Sequence, residues 1–271
     1  MNTTFRLLSR QAAVLLIAAG LVGCRSPDDQ SAEGDDGSKT EIATSTATPN
    51  MLSADEAAVG WRLLFDGVST DGWRAYNAED FPTVGWRVEN GELIVEHSGT
   101  EEGGLGGDIV TEEAFANFEL TVDFLITDTS NSGIFYRVIE NEDQSIWNNA
   151  PEYQILDDET YIAMGGMNMD THLTGDNYDL HSAGERPSRP VGEWNTARIL
   201  VDGPHVEHWL NGVMTVEYEL WSPDWEARVA ASKFAEFPAY GRTQRGLIGL
   251  QDHGHMVKFR NIKIRPLPAS S

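Results

Sequence analysis

The stretch PEYQILDD, Pro151 to Asp158, reads as a β-strand that carries polar groups on one face. In an extended chain alternate side chains point to opposite sides, so Glu152, Gln154 and Leu156 share one face and Tyr153 and Ile155 the other. A carboxylate beside an amide can divide the work of a reaction: the amide holds a hydroxyl or a carbonyl oxygen, and the carboxylate takes a proton. The same alternation sets Phe135 and Arg137 of GIFYRV opposite Ile134, Tyr136 and Val138. It sets Leu247, Gly249, Gln251 and His253 of GLIGLQDHG opposite Ile248 and Leu250. Arg137, Gln251 and His253 thus have a face to share with Glu152 and Gln154. The plainer alternative is the polar outer face of a solvated sheet.

Two loops add candidates. Just before the strand, DQSIWNNAP offers Trp147, a ring on which a sugar can stack. After it, the chain from Asp157 to Val191 is long for a connection between strands, and long structured loops often rim sites. This loop holds His172, Asp176, Tyr178, Asp179 and His181. Tyr178 is a candidate substrate contact, and His181 competes with Glu152 for proton transfer. These residue types also allow a divalent metal, but His172 and His181 stand at a spacing that matches no established ligand pattern. No cofactor is required, and a divalent metal stays open. His253-Gly254-His255 would hold a metal only if both rings converged, whereas neighbouring turn positions usually diverge. His208, on a mixed hairpin face, is a further substrate-binding candidate. The Gly-rich GTEEGGLGGD, residues 99 to 108, lacks a following helix and a Lys-Ser/Thr pair, so it is a flexible turn and no phosphate loop.

The elements that must position these groups are strands. Aromatic and β-branched residues recur in short runs broken by turn signals, and the one stretch with helical period runs from about Trp225 to Phe234. In WRVENGELIVE a type I′ turn at Asn90-Gly91 pairs Val88 with Leu93 and Trp86 with Val95. In HVEHWLNGVMTVEYEL a turn at Asn211-Gly212 puts Trp209, Met214, Val216 and Tyr218 on one face. The other face carries His208, Leu210, Val213, Thr215 and Glu217. ANFELTVDFLIT alternates as well, with Phe118, Leu120, Val122, Phe124 and Ile126 inward. Strands this regular predict an all-β sandwich of two antiparallel sheets.

The totals bound the rest. Of 271 residues 40% are hydrophobic, enough for a sizeable core, and Lys plus Arg number 19 against 43 Asp plus Glu. A net charge of −24 repels phosphate backbones, so nucleic acid is not an expected partner. Residues 1–23 read as a secretory signal: two arginines, then the apolar run QAAVLLIAAGLVG, too short for a stable span. It ends in Leu-Val-Gly-Cys, which resembles the lipobox of bacterial lipoproteins and marks Cys24, the only Cys in the chain, for lipidation. An exported protein, periplasmic or at the cell surface and held to the membrane by its lipid alone, is expected. Residues 24–55, rich in Ser, Thr, Asp and Gly, read as a flexible linker, residues 56–267 as one domain, and 268–271 as a tail.

Six segments taken together resemble the 3-keto-disaccharide hydrolase family: LLFDGVSTDGW, WRVENGELIV, SNSGIFYRV, PEYQILDD, RPVGEWNTARILVDGPHVEHWLNG and GLIGLQDHGHMVKFRNIKIRPL. The resemblance implies a concanavalin A-like jelly-roll fold and a substrate whose sugar ring carries a ketone at C3. Such a ketone acidifies the C2 hydrogen, so a modest base can remove it; expulsion of the C1 aglycone and addition of water then give net hydrolysis. Glu152 or His181 would be the base and Arg137 the partner of the carbonyl oxygen. Trp147, Gln154, Tyr178, His208, Gln251 and His253 would hold the saccharide. The rival is a non-catalytic carbohydrate-binding lipoprotein, which would use the same aromatics and amides without a poised ionisable group. A purely structural surface protein is the third reading.

Overall fold

In this computed structural model the turn chemistry fixes the hairpins as expected. Asn90-Gly91 and Asn211-Gly212 all take positive φ, the backbone signature of a type I′ turn. Thirteen strands follow among the described residues. They are β1 (Arg62–Leu63), β2 (Trp73–Ala75), β3 (Trp86–Glu89), β4 (Glu92–Val95), β5 (Ile109–Thr111), β6 (Phe118–Ile126) and β7 (Asn131–Val138). Then come β8 (Glu152–Leu156), β9 (Trp194–Asp202), β10 (His205–Leu210), β11 (Val213–Glu219), β12 (Leu247–Leu250) and β13 (Val257–Pro266). Three short α-helices accompany them among the described residues, α1 (Ala54–Ala58), α2 (Asp158–Met164) and α3 (Pro223–Ala231). The structure describes residues 48–99, 104–165 and 169–268. The signal segment, Cys24 and residues 269–271 of the tail lie outside the described residues.

The strands form two antiparallel sheets. One has eight strands in the order β11-β10-β9-β6-β13-β4-β3, with β1 also paired to β13; the other has five, in the order β2-β5-β12-β7-β8. Phe118, Leu120, Val122 and Phe124 of β6 point inward, all no more than 1% exposed, and meet Ile134, Tyr136, Tyr153, Ile155, Ile248 and Leu250 from the smaller sheet. Alternation therefore delivers one face of each sheet to a shared core, the two-sheet sandwich that the pattern predicts.

The expected register holds in one hairpin and shifts in the other. Trp86 pairs with Val95 and Val88 with Leu93. Between β10 and β11, however, His208 pairs with Val216 while Trp209 pairs with Met214, so Thr215 is an extra residue. This bulge reverses the alternation along β11. Val216 and Tyr218 face the core with His208 and Leu210, whereas Met214 is 41% exposed.

The outer face of the smaller sheet is itself half covered. The segment before β8 folds over it and buries Ile146 and Ala150 against Val110, Phe135, Val138 and Leu247. Only the end formed by Glu152, Gln154, Asn131 and the chain just after β12 keeps polar groups. Residues 175–178 run beside β8: Gly175 and Gln154 exchange backbone hydrogen bonds with neighbours across the gap, and the Tyr178 N–H donates to the Glu152 carbonyl. The long loop thus covers what would be an exposed sheet edge.

Two expectations about loops are corrected. Residues 50–55, placed in the linker by composition, belong to the folded unit, because Asn50 Nδ2 donates to the Gly91 carbonyl at 2.8 Å and Asn261 N–H to Asn50 Oδ1 at 2.8 Å. Ser53 then caps α1. The Gly-rich segment, read as a flexible turn, is packed where it is described: Gly106 N–H donates to Asp252 Oδ2 at 3.0 Å, and a Cβ at Gly104 would meet the Asp252 carboxylate at 1.9 Å.

Candidate active site

The polar end of the smaller sheet is a recess lined by Asn131, Trp147, Glu152, Gln154, Tyr178, Lys233, Gln251 and His253. Neighbouring strands supply its floor. Gly133 of β7 pairs with Gln154 and Phe135 with Glu152, which brings Asn131 alongside them on the same face. Gln154 Nε2 donates to Asn131 Oδ1 at 3.0 Å, fixing the amide's orientation. Glu152 is 5% exposed, and its Oε1 lies over Gly133, where an added Cβ would stand 2.0 Å away.

Beyond β12, the Gln251 N–H donates to the Gly133 carbonyl at 3.0 Å and its own carbonyl accepts from Ser132 Oγ at 2.8 Å. The backbone is tied on both sides, so the side chain is aimed by the sheet. Gln251 Oε1 and His253 Nδ1 are buried and make no hydrogen bond among the described residues. Buried polar atoms are normally satisfied, and such atoms in a recess are ready to bind hydroxyls.

Aromatic side chains form the walls. Trp147 meets Phe237 edge-on at 5.6 Å, and Tyr178 meets His172 edge-on at 4.4 Å. Lys233 Nζ lies 4.4 Å from the centroid of each of the two rings, Trp147 and Tyr178. Its backbone starts a short 3₁₀ turn after α3, capped by Ser232. With this ammonium in place the recess holds only about 30 Å³, room for little more than a water. Lys233 is exposed, and a cation–π contact of about 0.5–1 kcal/mol at an exposed site is readily exchanged for a ligand.

The sequence-derived candidates divide. Glu152, Gln154, Trp147, Tyr178, Gln251 and His253 converge in the recess. Arg137 does not. Leu247 pairs with Val138 but Gly249 with Phe135, so β7 carries a bulge at Tyr136-Arg137, and Arg137 has φ 55°. The bulge swings its side chain away from Glu152: the guanidinium stacks over Trp221 at 5.1 Å and donates to the carbonyls of Thr243, at 2.8 Å, and Gly203. Arg137 lines a separate cavity of about 380 Å³ with Asn117, Pro204 and Gln244.

His208 and His181 are not among the recess lining either. His208 is fully buried between the sheets. Its Nδ1 lies 3.3 Å from the Gly175 carbonyl and so carries the proton, which leaves Nε2 to accept from Tyr136 Oη at 2.8 Å. Tyr218 Oη lies 2.5 Å from Tyr136 Oη and completes the chain. Burial pushes the His208 pKa down to about 3, so the ring stays neutral. His181 stacks on Tyr218 at 4.7 Å, since the turn from Asn177 to His181 aims Tyr178 at the recess and His181 away from it. Burial, with the nearby Arg228, pushes its pKa down to about 4.

The loop acids serve structure. Asp176 accepts from the N–H groups of Leu173, at 2.8 Å, and Ala183, at 2.6 Å, and pairs with Arg186 at 2.8 Å. His172 pairs with Asp179 at 3.2 Å. His253 and His255 stack with centroids 6.1 Å apart. Among the described residues no three His, Cys, Asp or Glu side chains gather as metal ligands. A larger cavity, about 750 Å³, lies elsewhere and is rimmed by Glu79, Glu112 and Glu142, with Arg74 paired to Glu140 at 2.5 Å. Its lining has no aromatic walls around an uncommitted amide oxygen.

Sequence reasoning missed Asn131 and Lys233. Asn131 was legible, because it shares the face of Gly133 and Phe135 by the same alternation used for Glu152. Lys233 carried no local signal, since it reaches the recess only through the packing of α3 and the turn that follows.

A sandwich with a polar, aromatic-walled recess on one sheet is the architecture of a carbohydrate-active protein. The family model for the 3-keto-alpha-glucoside-1,2-lyase-like domain matches residues 60–265, and the chain belongs to that family. A protein of Bacteroides thetaiotaomicron named 3-keto-disaccharide hydrolase is 32% identical, over 94% of this chain and 97% of that protein. A crystal structure of a candidate glycosyl hydrolase from Parabacteroides distasonis is 34% identical and superposes with a TM-score of 0.73, over 82% of this chain and all of that one. A second from the same organism, 27% identical, gives 0.56 over 76% of this chain and 99% of that one.

Proposed function

We propose that this chain hydrolyses 3-keto-disaccharides or related 3-keto-glycosides in the recess around Glu152. The observation that carries the reading is the meeting, on one small polar face, of a buried carboxylate, an oriented amide and an uncommitted amide oxygen between two aromatic rings. The match to the family and to the 3-keto-disaccharide hydrolase supports the substrate class.

The chemistry follows from the ketone. The carboxylate of Glu152 takes the C2 proton, and the electron pair of that bond moves into C2–C3, placing negative charge on the C3 oxygen. Collapse of this enolate expels the C1 oxygen of the aglycone, which leaves protonated by the proton taken from C2. Water then adds across C1 and C2 to give the free 3-keto-sugar. Gln154, Gln251 and His253 hold hydroxyls, and Trp147 and Tyr178 sandwich the ring. This route needs one base and a stabilised carbonyl oxygen, and no second carboxylate.

Incubation of the purified protein with 3-keto-lactose or 3-keto-trehalose tests the reading. Release of glucose is expected from either, together with 3-keto-glucose from 3-keto-trehalose and 3-keto-galactose from 3-keto-lactose, and Glu152→Gln should lower kcat by about 10²–10⁴ at unchanged melting temperature. Tight binding without any turnover by the wild type would make the protein a lectin instead. Lipidation at Cys24 belongs to the same proposal: labelled palmitate should enter the wild type and not Cys24→Ser, and an exported, lipid-anchored protein would then meet its substrate outside the cytoplasm.

A further inference from the structure

We infer that Lys233 is the residue through which the recess recognises the ketone at C3, a role that rests on the reading of this recess as a 3-keto-glycoside site. The elimination places negative charge on the carbonyl oxygen, and a donor must stand there when the charge develops. Arg137, which sequence alternation offered for that task, is bonded to backbone carbonyls in another cavity. Of the described residues that line the recess, Lys233 is the one lysine or arginine.

Its surroundings set it apart from the other described lysines. Lys258 pairs with Glu92 at 2.9 Å and Lys263 with Glu56 at 2.7 Å. Lys233 makes no ion pair with any described carboxylate in a chain that holds 43 Asp and Glu, and its ammonium faces Trp147 and Tyr178 instead. The main chain beneath it is pinned: Lys233 N–H donates to Asp179 Oδ2 at 3.1 Å, one residue from Tyr178. A fixed backbone with an unpaired ammonium on a flexible stem is what a displaceable cation requires. A sugar that stacks on the two rings takes the place the ammonium now holds, and the ammonium then meets the ring edge where a ketone oxygen accepts its hydrogen bond. An alcohol at C3 offers the same position no developing charge, so the preference for the ketone grows toward the transition state. No covalent bond to Lys233 forms.

The test uses the purified full-length protein as wild type, Lys233→Met and Lys233→Arg. Trp fluorescence titrations measure binding of 3-keto-glucose and of glucose, and initial rates with 3-keto-lactose give kcat and KM. The wild type should prefer 3-keto-glucose, Lys233→Met should lose that preference and about 10²–10³ of kcat, and Lys233→Arg should recover part of both. Melting temperature should move by no more than a few degrees, because the side chain is exposed and its ring contacts are weak. A Lys233→Met protein with wild-type preference and kcat overturns the inference, as does a wild type that binds both sugars alike. Trapping of a Lys233 adduct by borohydride also overturns it, in favour of a Schiff base. A wild type that binds the ketone selectively through Lys233 but turns over no 3-keto-glycoside leaves the inference standing and removes the hydrolase reading.

Discussion

Glu152 Oε1 lies directly over Gly133 of the neighbouring strand, so close that a Cβ there would stand 2.0 Å from the oxygen. The carboxylate can occupy this position only because residue 133 has no side chain. Glycine within a strand often marks such a close approach, and here it seats the proposed base.

Gly133→Ala should therefore displace the carboxylate while leaving its chemistry intact. A misplacement of about 1 Å can cost on the order of 10²-fold in rate. We expect kcat with 3-keto-lactose to fall by about that factor, and a variant with undiminished kcat would show that the seat does not matter.

Arg137 should matter to stability and not to chemistry. Its guanidinium serves the carbonyls of Thr243 and Gly203 and the face of Trp221. Arg137→Met removes the donors of two part-buried carbonyls, at up to about 1–3 kcal/mol for each group left unsatisfied. A lower melting temperature with unchanged kcat/KM is expected; loss of activity at full stability would contradict the placement.

His208 and His181 should make the fold acid-sensitive. Burial lowers their pKa values from 6.5 to about 3 and about 4, so the folded protein resists protonation that the unfolded chain accepts. The sign is therefore fixed: stability is complete above about pH 6.5 and declines as pH falls. Each histidine contributes a slope of about 1.4 kcal/mol per pH unit, both from 6.5 to about 4 and His208 alone from there to about 3. Denaturant melts across that range should show this slope, and His208→Phe should make it shallower while lowering stability at pH 8.

The true start of the folded unit can be read from Asn50. Its side chain bridges the Gly91 carbonyl and the Asn261 amide. A chain begun at residue 48 should melt like the full protein, whereas one begun at residue 56 should melt several degrees lower, at about 2–4 °C per kcal/mol lost. Equal melting temperatures would return residues 50–55 to the linker.

The sequence by itself determined the class of fold, because period-2 alternation and Asn-Gly turns are local properties of the chain. It also determined most of the recess: Glu152 and Gln154 follow from counting along β8, Gln251 and His253 from continuing the alternation past the end of β12, and Trp147 from the adjacent loop. Two of its misplacements lie at bulges, and a third, His181, in the turn from Asn177. Arg137 sits at the extra residue of β7, and Val216 and Tyr218 join His208 on the core face because Thr215, the extra residue of the β10–β11 hairpin, reverses the faces of β11. A bulge inverts every later side chain, and its position depends on how the partner strand packs, information no single strand contains. Lys233 lies beyond local reach for another reason. Its place over Trp147 and Tyr178 is set by the docking of α3 and by a hydrogen bond to Asp179, a residue 54 positions away in the chain. Only the tertiary structure closes that distance.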